Sequence, residues 1–308
     1  MNKFSSHPLY RRHDLDSAFS SILGFYKKHF LVLFLTSFVM AIGTSIVSVQ
    51  INLGDMTSTT DPMVLLEKYK SLIVPYLEIL AISLVFNVLI QYYILYNPIE
   101  GNPNFFEAAL KSIKYLPAYL IICILFIFMA SIAMVFGLLV FIVGIFFAVL
   151  WVGTIFMFAL PVLLAEGTNI GHAFARTFKL AHSNFWSNLG WVAITGLILI
   201  VAGFILGAIS MIPFSGNFFK MILHPDEATQ AMDFMRNPLY IGFSAFISAI
   251  TGPIIPLLST VLYFNGRARE EEAVQSIVTE EPPRVRVEDL YAKPYADDHP
   301  DNPDKKQE

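Results

Sequence analysis

Long apolar runs broken by short polar patches set the pattern of this chain. The runs cover approximately residues 30–50, 72–96, 117–136, 139–164, 187–212 and 239–264. About 20 residues at 1.5 Å each cross a hydrocarbon layer roughly 30 Å thick, so each run is long enough for one membrane helix. Residues 117–164 hold no Asp, Glu, Lys or Arg across 48 positions. That is too long for one span, and Gly137 marks the expected turn between two. The first run is too long for the apolar part of a signal peptide and has no small-residue cleavage site, so it is expected to remain as a span.

Three shorter stretches carry the 3.6-residue period of amphipathic helices. In Asp14 to Lys28, Phe19, Ile22, Leu23, Tyr26 and Phe30 form an apolar stripe, with Asp16 or Ser17 as the expected cap. In the second, Asn104 and Glu107 fit a capping box that opens a helix running to about Tyr115. The third follows a break at Glu166-Gly167-Thr168-Asn169, after which Phe174, Phe178, Ala181 and Phe185 share one face. Trp186 and Trp191 suit a membrane interface. Such helices lie at the headgroup level with cations toward water or anionic lipid, which points to Lys27, Lys28, Lys111, Lys114, Arg176 and Lys179 as headgroup contacts. The fold class is therefore all-α: a polytopic membrane protein with six transmembrane helices and three interfacial amphipathic helices. The order amphipathic helix, span, span occurs three times and suggests a threefold repeat.

Outside this frame, 1–13 reads as a polar, basic, frayed segment and 14–269 as the membrane domain. A short helix is expected at Val64 to Ser71 and another at Pro225 to Met235. Gly252, Pro253 and Pro256 should kink the last span. Residues 270–308 hold five Pro, 12 acidic and 5 basic residues and read as a disordered acidic tail, with Arg267 to Ala273 extending the last helix.

Composition agrees. The chain has 308 residues, 56% of them hydrophobic and 14% charged, with mean hydropathy +0.61, against roughly 25% charged in soluble domains. The net charge of −4 divides into −7 in the tail and +3 elsewhere. Six spans put both termini on one side. Before the tail, that side receives eleven Lys and Arg and the other side four, which places the termini in the cytoplasm. The lone Cys123 lies in an apolar run, so no internal disulfide forms.

Candidate chemistry is sparse. Glu78 is the one carboxylate well inside a run, and Asn87 and Gln91 lie one turn apart on the same helix. Buried acids mark ion paths, whereas intramembrane amides more often hold helices together. Gly203 and Gly207, with Gly196 before them, provide a small-residue face for helix packing. His172 and His182 point in directions about 80° apart on a helix and make no ligand pair. His224, Asp226 and Glu227 are ordinary loop residues rather than a metal set. No phosphate loop, nucleophile elbow, zinc motif or carboxylate pair is present, so no catalytic residue, metal or cofactor is expected. The scattered cations suit lipid better than nucleic acid.

The stretch Glu166-Gly167 through Thr177-Phe178-Lys179-Leu180, then Asn184-Phe185-Trp186, resembles a bacterial integral membrane domain family. That family includes the membrane domain fused to some glycerophosphodiester phosphodiesterases and stand-alone six-helix relatives. Pro256 to Glu272 resembles the family's ending, a Tyr-bearing helix that runs into an Arg/Glu-rich segment. The resemblance implies the membrane architecture without the phosphodiesterase. The expected function is a non-enzymatic inner-membrane protein, acting as a scaffold or accessory factor in envelope or lipid homeostasis. A small-solute or ion transporter and a membrane-embedded lipid-modifying enzyme are the alternatives. The expected partner is a bilayer with anionic headgroups at the cytoplasmic face; the tail serves as a spacer or docks a soluble partner, and the oligomeric state is open.

Overall fold

In the computed structural model, residues 3–51, 61–101, 105–216, 223, 234 and 236–279 are described. They are 86% helix, with no strand among them. Helix α1 is Leu15–Lys28, α2 Phe30–Ser48, α3 Pro62–Tyr96, α4 Phe105–Ile113 and α5 Leu116–Leu138. Then follow α6 Phe141–Glu166, α7 Ile170–Ser183, α8 Phe185–Met211 with a 3-10 turn at Ile212–Phe214, α9 Pro238–Thr251 and α10 Ile254–Thr279. Six helical segments are long and apolar enough to cross a membrane. The chain divides into two compact units after Ala268; the described part of the second, 269–279, is helical.

Helix ends follow local chemistry. Asp14, not Asp16 or Ser17, caps α1: its carboxylate accepts from the Ser17 backbone N–H at 2.8 Å, and the Ser17 hydroxyl accepts from the Asp14 N–H at 3.0 Å. Asp61 caps α3 by accepting from the Met63 N–H at 2.9 Å, with Pro62 in the first turn, where its missing N–H costs nothing. The short helix expected at 64–71 and the span expected from 72 are therefore one helix that continues through Pro75. Its length is about 52 Å, well beyond the roughly 30 Å hydrocarbon layer. Helices α5 and α6 meet at a turn of Leu139 and Val140, next to the expected Gly137. Gly137 and Gly144 face each other there, and a Cβ on Gly137 would stand 2.8 Å from the Gly144 carbonyl oxygen. Phe141 closes the turn at φ 57°, a left-handed conformation that costs a bulky residue about 1–2 kcal/mol. Gly252-Pro253 does more than kink the last span: α9 ends before it and α10 begins after it, with Pro256 buried one turn on. Glycine suits position 252 because a Cβ there would stand 2.8 Å from the Ser248 carbonyl oxygen.

The core sits where the second span of each unit ends. Val88–Tyr96 of α3, Ile155 and Phe158 to Leu164 of α6, and Leu257–Phe264 of α10 are buried. Polar groups fasten the three together. Gln91 Nε2 donates to Thr260 Oγ1 at 2.6 Å, Tyr96 OH donates to the Leu164 carbonyl at 2.7 Å, and Ser259 donates to the Met157 carbonyl. Around this core the amphipathic helices pack cyclically. Helix α7 runs antiparallel to α6 from Glu166 toward Trp151, about 22 Å, and its Phe174 stands 5.5 Å from Phe126 of α5. Helix α4 sits on α3, with Phe105 and Tyr93 6.4 Å apart. Helix α1 reaches α9, where Tyr26 OH donates to the Ile250 carbonyl at 3.0 Å, and the segment before α1 reaches α10, where the His13 N–H donates to Asn265 Oδ1 at 3.0 Å.

Three further expectations are corrected. The residues of α7 that face the bundle are Ala173, Thr177, Leu180 and Ala181, while Phe174 and Phe178 are half-buried against α5. Small side chains let two helices approach closely, so a phenylalanine period locates an apolar face without saying which wall takes the middle of it. The N-terminal segment is not frayed. Phe4, His7, Leu9 and His13 are buried, and Phe4 meets Tyr96 edge-on at 5.5 Å and Phe264 at a tilt at 5.7 Å. Its polar average hid the few residues that pack. The tail also starts later than expected, since the helix reaches Thr279; residues 280–308, the Pro225 to Met235 helix, the Asn104 cap and the His224, Asp226 and Glu227 loop all lie outside the described residues.

Candidate functional site

At the end of the bundle that carries α1, α4 and α7, one carboxylate gathers most of the polar chemistry. Glu166 is the last residue of α6, and Gly167, at φ 111°, turns the chain back so that α7 starts beside it. Asn169 caps α7 by accepting from the His172 N–H at 3.0 Å. Two turns into α7, Arg176 Nε donates to both Glu166 oxygens, at 3.0 and 3.2 Å. His172 Nε2 lies 3.5 Å from Oε2, Tyr263 OH donates to Oε1 at 3.1 Å, and Arg267 Nη1 lies 3.9 Å from Oε1. The side chains of Glu166 and Arg176 are 15% and 10% exposed. One anion thus holds α6, α7 and α10 together.

Helices α3 and α6 end at Leu95-Tyr96-Asn97 and Leu164-Ala165-Glu166, and Tyr263-Phe264-Asn265 of α10, which continues to Thr279, lies beside them. Asn97 and Asn265 are buried, and Asn265 receives the entrance to α1 as Glu166 receives α7. Residue-type reasoning found none of this. Glu166 was legible only as the end of an apolar run, because its partners lie on two other helices.

Beside this end, His7 is enclosed by Phe25 and Phe264, with ring centroids at 6.0 and 4.8 Å. Its Nδ1 accepts from the Leu9 N–H at 3.1 Å and its Nε2 donates to the Ile94 carbonyl at 3.0 Å, which defines a neutral imidazole. Burial is the main cause that pushes its pKa down to about 4, and the nearby His29 adds to the effect. Burial also lowers the pKa of His13 and His29.

No family model, no curated protein and no solved structure matches the chain. The geometry therefore carries the functional argument alone.

The residues singled out above separate into groups. Gln91 is buried and bonded to Thr260, and Asn87, one turn away, is half-buried. Glu78 is exposed on α3, about 27 Å along the helix from Tyr96. Gly196, Gly203 and Gly207 do not pack inside the chain: a Cβ on any of them would meet nothing within 4 Å. Their spacing shows a small face, and among the described residues no atom would contact a side chain added there.

Among the six expected headgroup cations, Arg176 is committed to Glu166. Lys111 bridges Glu107 at 2.9 Å and Glu100 at 3.2 Å, which raises its pKa. Lys114 sits 4.9 Å from the Tyr115 ring centre. Lys27, Lys28 and Lys179 are exposed. Among the described residues, no group of three or more His, Cys, Asp or Glu is placed to hold a metal.

Proposed function

We propose that this chain is a non-enzymatic protein of the bacterial cytoplasmic membrane, with both termini in the cytoplasm, that acts as a scaffold or accessory factor in envelope or lipid homeostasis. The observation that supports this reading best is the use made of the polar groups at the core. Gln91, Thr260, Ser259, Tyr96 and Tyr263 bond helix to helix rather than lining an opening. Phe158 and Phe264 are fully buried among them, so a solute path along the central helices would have to displace the core. Orientation rests on the excess of Lys and Arg at the end that carries α1, α4 and α7. The relationship to the six-helix family rests on the Glu166-Gly167 stretch and the Pro256 to Glu272 ending.

The test has two arms. Deleting the gene should change envelope permeability or phospholipid composition, and the full chain should restore it. Purified protein in vesicles should leave ion and solute leak at the protein-free level and should not consume phospholipid. Saturable flux, or lipid turnover proportional to protein, would overturn the proposal in favour of a transporter or an enzyme.

A further inference from the structure

Residues 3–13 run before α1 as a strap across the end of the central helices. Two tight turns shape it: the His7 N–H donates to the Phe4 carbonyl at 2.9 Å, and the Tyr10 N–H donates to the His7 carbonyl at 2.8 Å. Its attachments reach three helices. Phe4 meets Tyr96 of α3, Tyr10 meets Phe264 of α10 edge-on at 5.3 Å, and Arg11 Nη2 donates to Ser21 Oγ of α1 at 2.7 Å. Lys3 Nζ stands 3.9 Å from Glu100, but its side chain is 58% exposed, and such pairs hold little.

The buried polar attachment with most at stake is His7. Its ring lies where α1, α3 and α10 meet, between Phe25 and Phe264 and against the Ile94 carbonyl. The two nitrogens work in opposite senses. Nε2 donates to Ile94 and ties the strap to α3, while Nδ1 accepts from the Leu9 N–H and fixes the strap's own turn. A neutral imidazole does both; an imidazolium carries N–H on both nitrogens and accepts nothing. A second proton therefore sets two N–H groups against each other and buries a charge. Attraction of a cation to the two ring faces works the other way, and burial outweighs it. His13 differs: its Nε2 donates to the Leu9 carbonyl at 3.1 Å and its buried Nδ1 has no hydrogen-bond partner, so a proton there breaks no bond.

The surrounding titratable groups are engaged elsewhere. In the strap, Lys3 reaches Glu100. Beside α1, His29 stacks on Phe25 at 4.4 Å and its Nδ1 lies 3.2 Å from Tyr93 OH of α3. Glu100, just beyond α3, is also bridged by Lys111. On α10, Tyr263 and Arg267 reach Glu166. Among these charges, that of His29 acts on His7, and it opposes protonation.

We propose that residues 3–13 are an acid-released strap: neutral His7 latches them to α1, α3 and α10, and protonation of His7 opens them while the central helices stay packed. The core bonds of Gln91, Tyr96 and Ser259 use amide, hydroxyl and carbonyl groups, which do not titrate between pH 4 and 7. With the His7 pKa at about 4 in the closed strap and about 6.5 in an open one, the closed form is favoured above pH 6.5 and loses ground as pH falls. The opening constant rises about tenfold from pH 7.5 to 5.5 and roughly seventyfold by pH 4.5. This device goes beyond the scaffold reading and does not depend on it.

Amide hydrogen exchange of the full chain in lipid nanodiscs, corrected for the intrinsic effect of pH on exchange, tests the proposal. Protection of residues 7–13 should fall at least twentyfold between pH 7.5 and 4.5, while residues 88–96 and 257–264 change less than twofold. H7Q should abolish the pH step, whatever its protection at pH 7.5, and H13Q should keep a step of at least tenfold. Constant protection of the wild-type strap, a step that survives in H7Q or vanishes in H13Q, or equal losses in strap and core overturns the proposal. A measurement on wild type alone covers the case in which H7Q does not fold. Exchange of the histidine C2 hydrogens follows protonation of each ring, and the His7 midpoint should lie below about pH 5.5; a midpoint at or above that value shows an imidazolium tolerated in the closed strap and overturns the latch.

Discussion

Replacing Glu166 with Gln removes the charge that Arg176 faces and keeps the side-chain shape. The size of the effect follows from burial. An exposed ion pair is worth about 0–1 kcal/mol, whereas losing one partner of a buried pair costs about 3–5 kcal/mol because the other charge is stranded. With side chains 15% and 10% exposed and two contacts at 3.0 and 3.2 Å, this pair lies nearer the buried limit. The neighbouring Arg267 would add repulsion once the anion is gone. We expect E166Q to destabilise the protein by about 2–3 kcal/mol. R176M should do the same, and E166Q/R176M should cost clearly less than the sum. Unfolding in mixed detergent micelles with rising SDS, followed by tryptophan emission, measures all three; Trp151, bonded to His182 of α7, reports release of that helix. A coupling below about 0.5 kcal/mol would show an ordinary surface pair, and the claim that Glu166 organises this end would be refuted.

Other outcomes follow from the same structure. His7 is neutral in the fold, with a pKa of about 4 against 6.5 for the free side chain, so its stabilising contribution is complete above pH 6.5 and is lost as pH falls from 6.5 toward 4. The loss approaches about 3 kcal/mol by pH 4; H7Q should flatten the stability profile over that window, and an equal slope in both proteins would count against the burial. G144L should destabilise by more than about 3 kcal/mol through overpacking against backbone, whereas G203L and G207L should change thermal stability by less than about 0.5 kcal/mol as surface substitutions do. A large loss at 203 or 207 would reveal a neighbour from another molecule. Q91L should cost about 0.6–1.7 kcal/mol, the range of intramembrane hydrogen bonds, measured in the same SDS titration.

How far the sequence predicts the fold depends on the range of the interactions involved. Span lengths follow from the local cost of charge in hydrocarbon, so the six runs and the turn beside Gly137 are visible in composition alone. Caps are local too, yet Asp14 and Asp16 are chemically equal until the helix chooses its register. Merging 62–71 with the second span depends on Pro75 remaining inside a helix, a choice that propensity argues against. Burial of Phe4, His7 and Leu9 needs walls from α1, α3 and α10 that are distant in sequence. The Glu166 site is the extreme case, since Arg176, Tyr263 and Arg267 converge only after three helices have packed.

Helix α1 is made first and finds its support last. Tyr26 reaches the carbonyl of Ile250, and His13 reaches Asn265, so more than two hundred residues must leave the ribosome before those docking points exist. Until then Ile22 and Phe25 need a temporary host, and the bilayer surface is the one at hand. The bonds that tie residues 13 and 26 to the helices at 250 and 265 therefore form only after translation has passed Asn265.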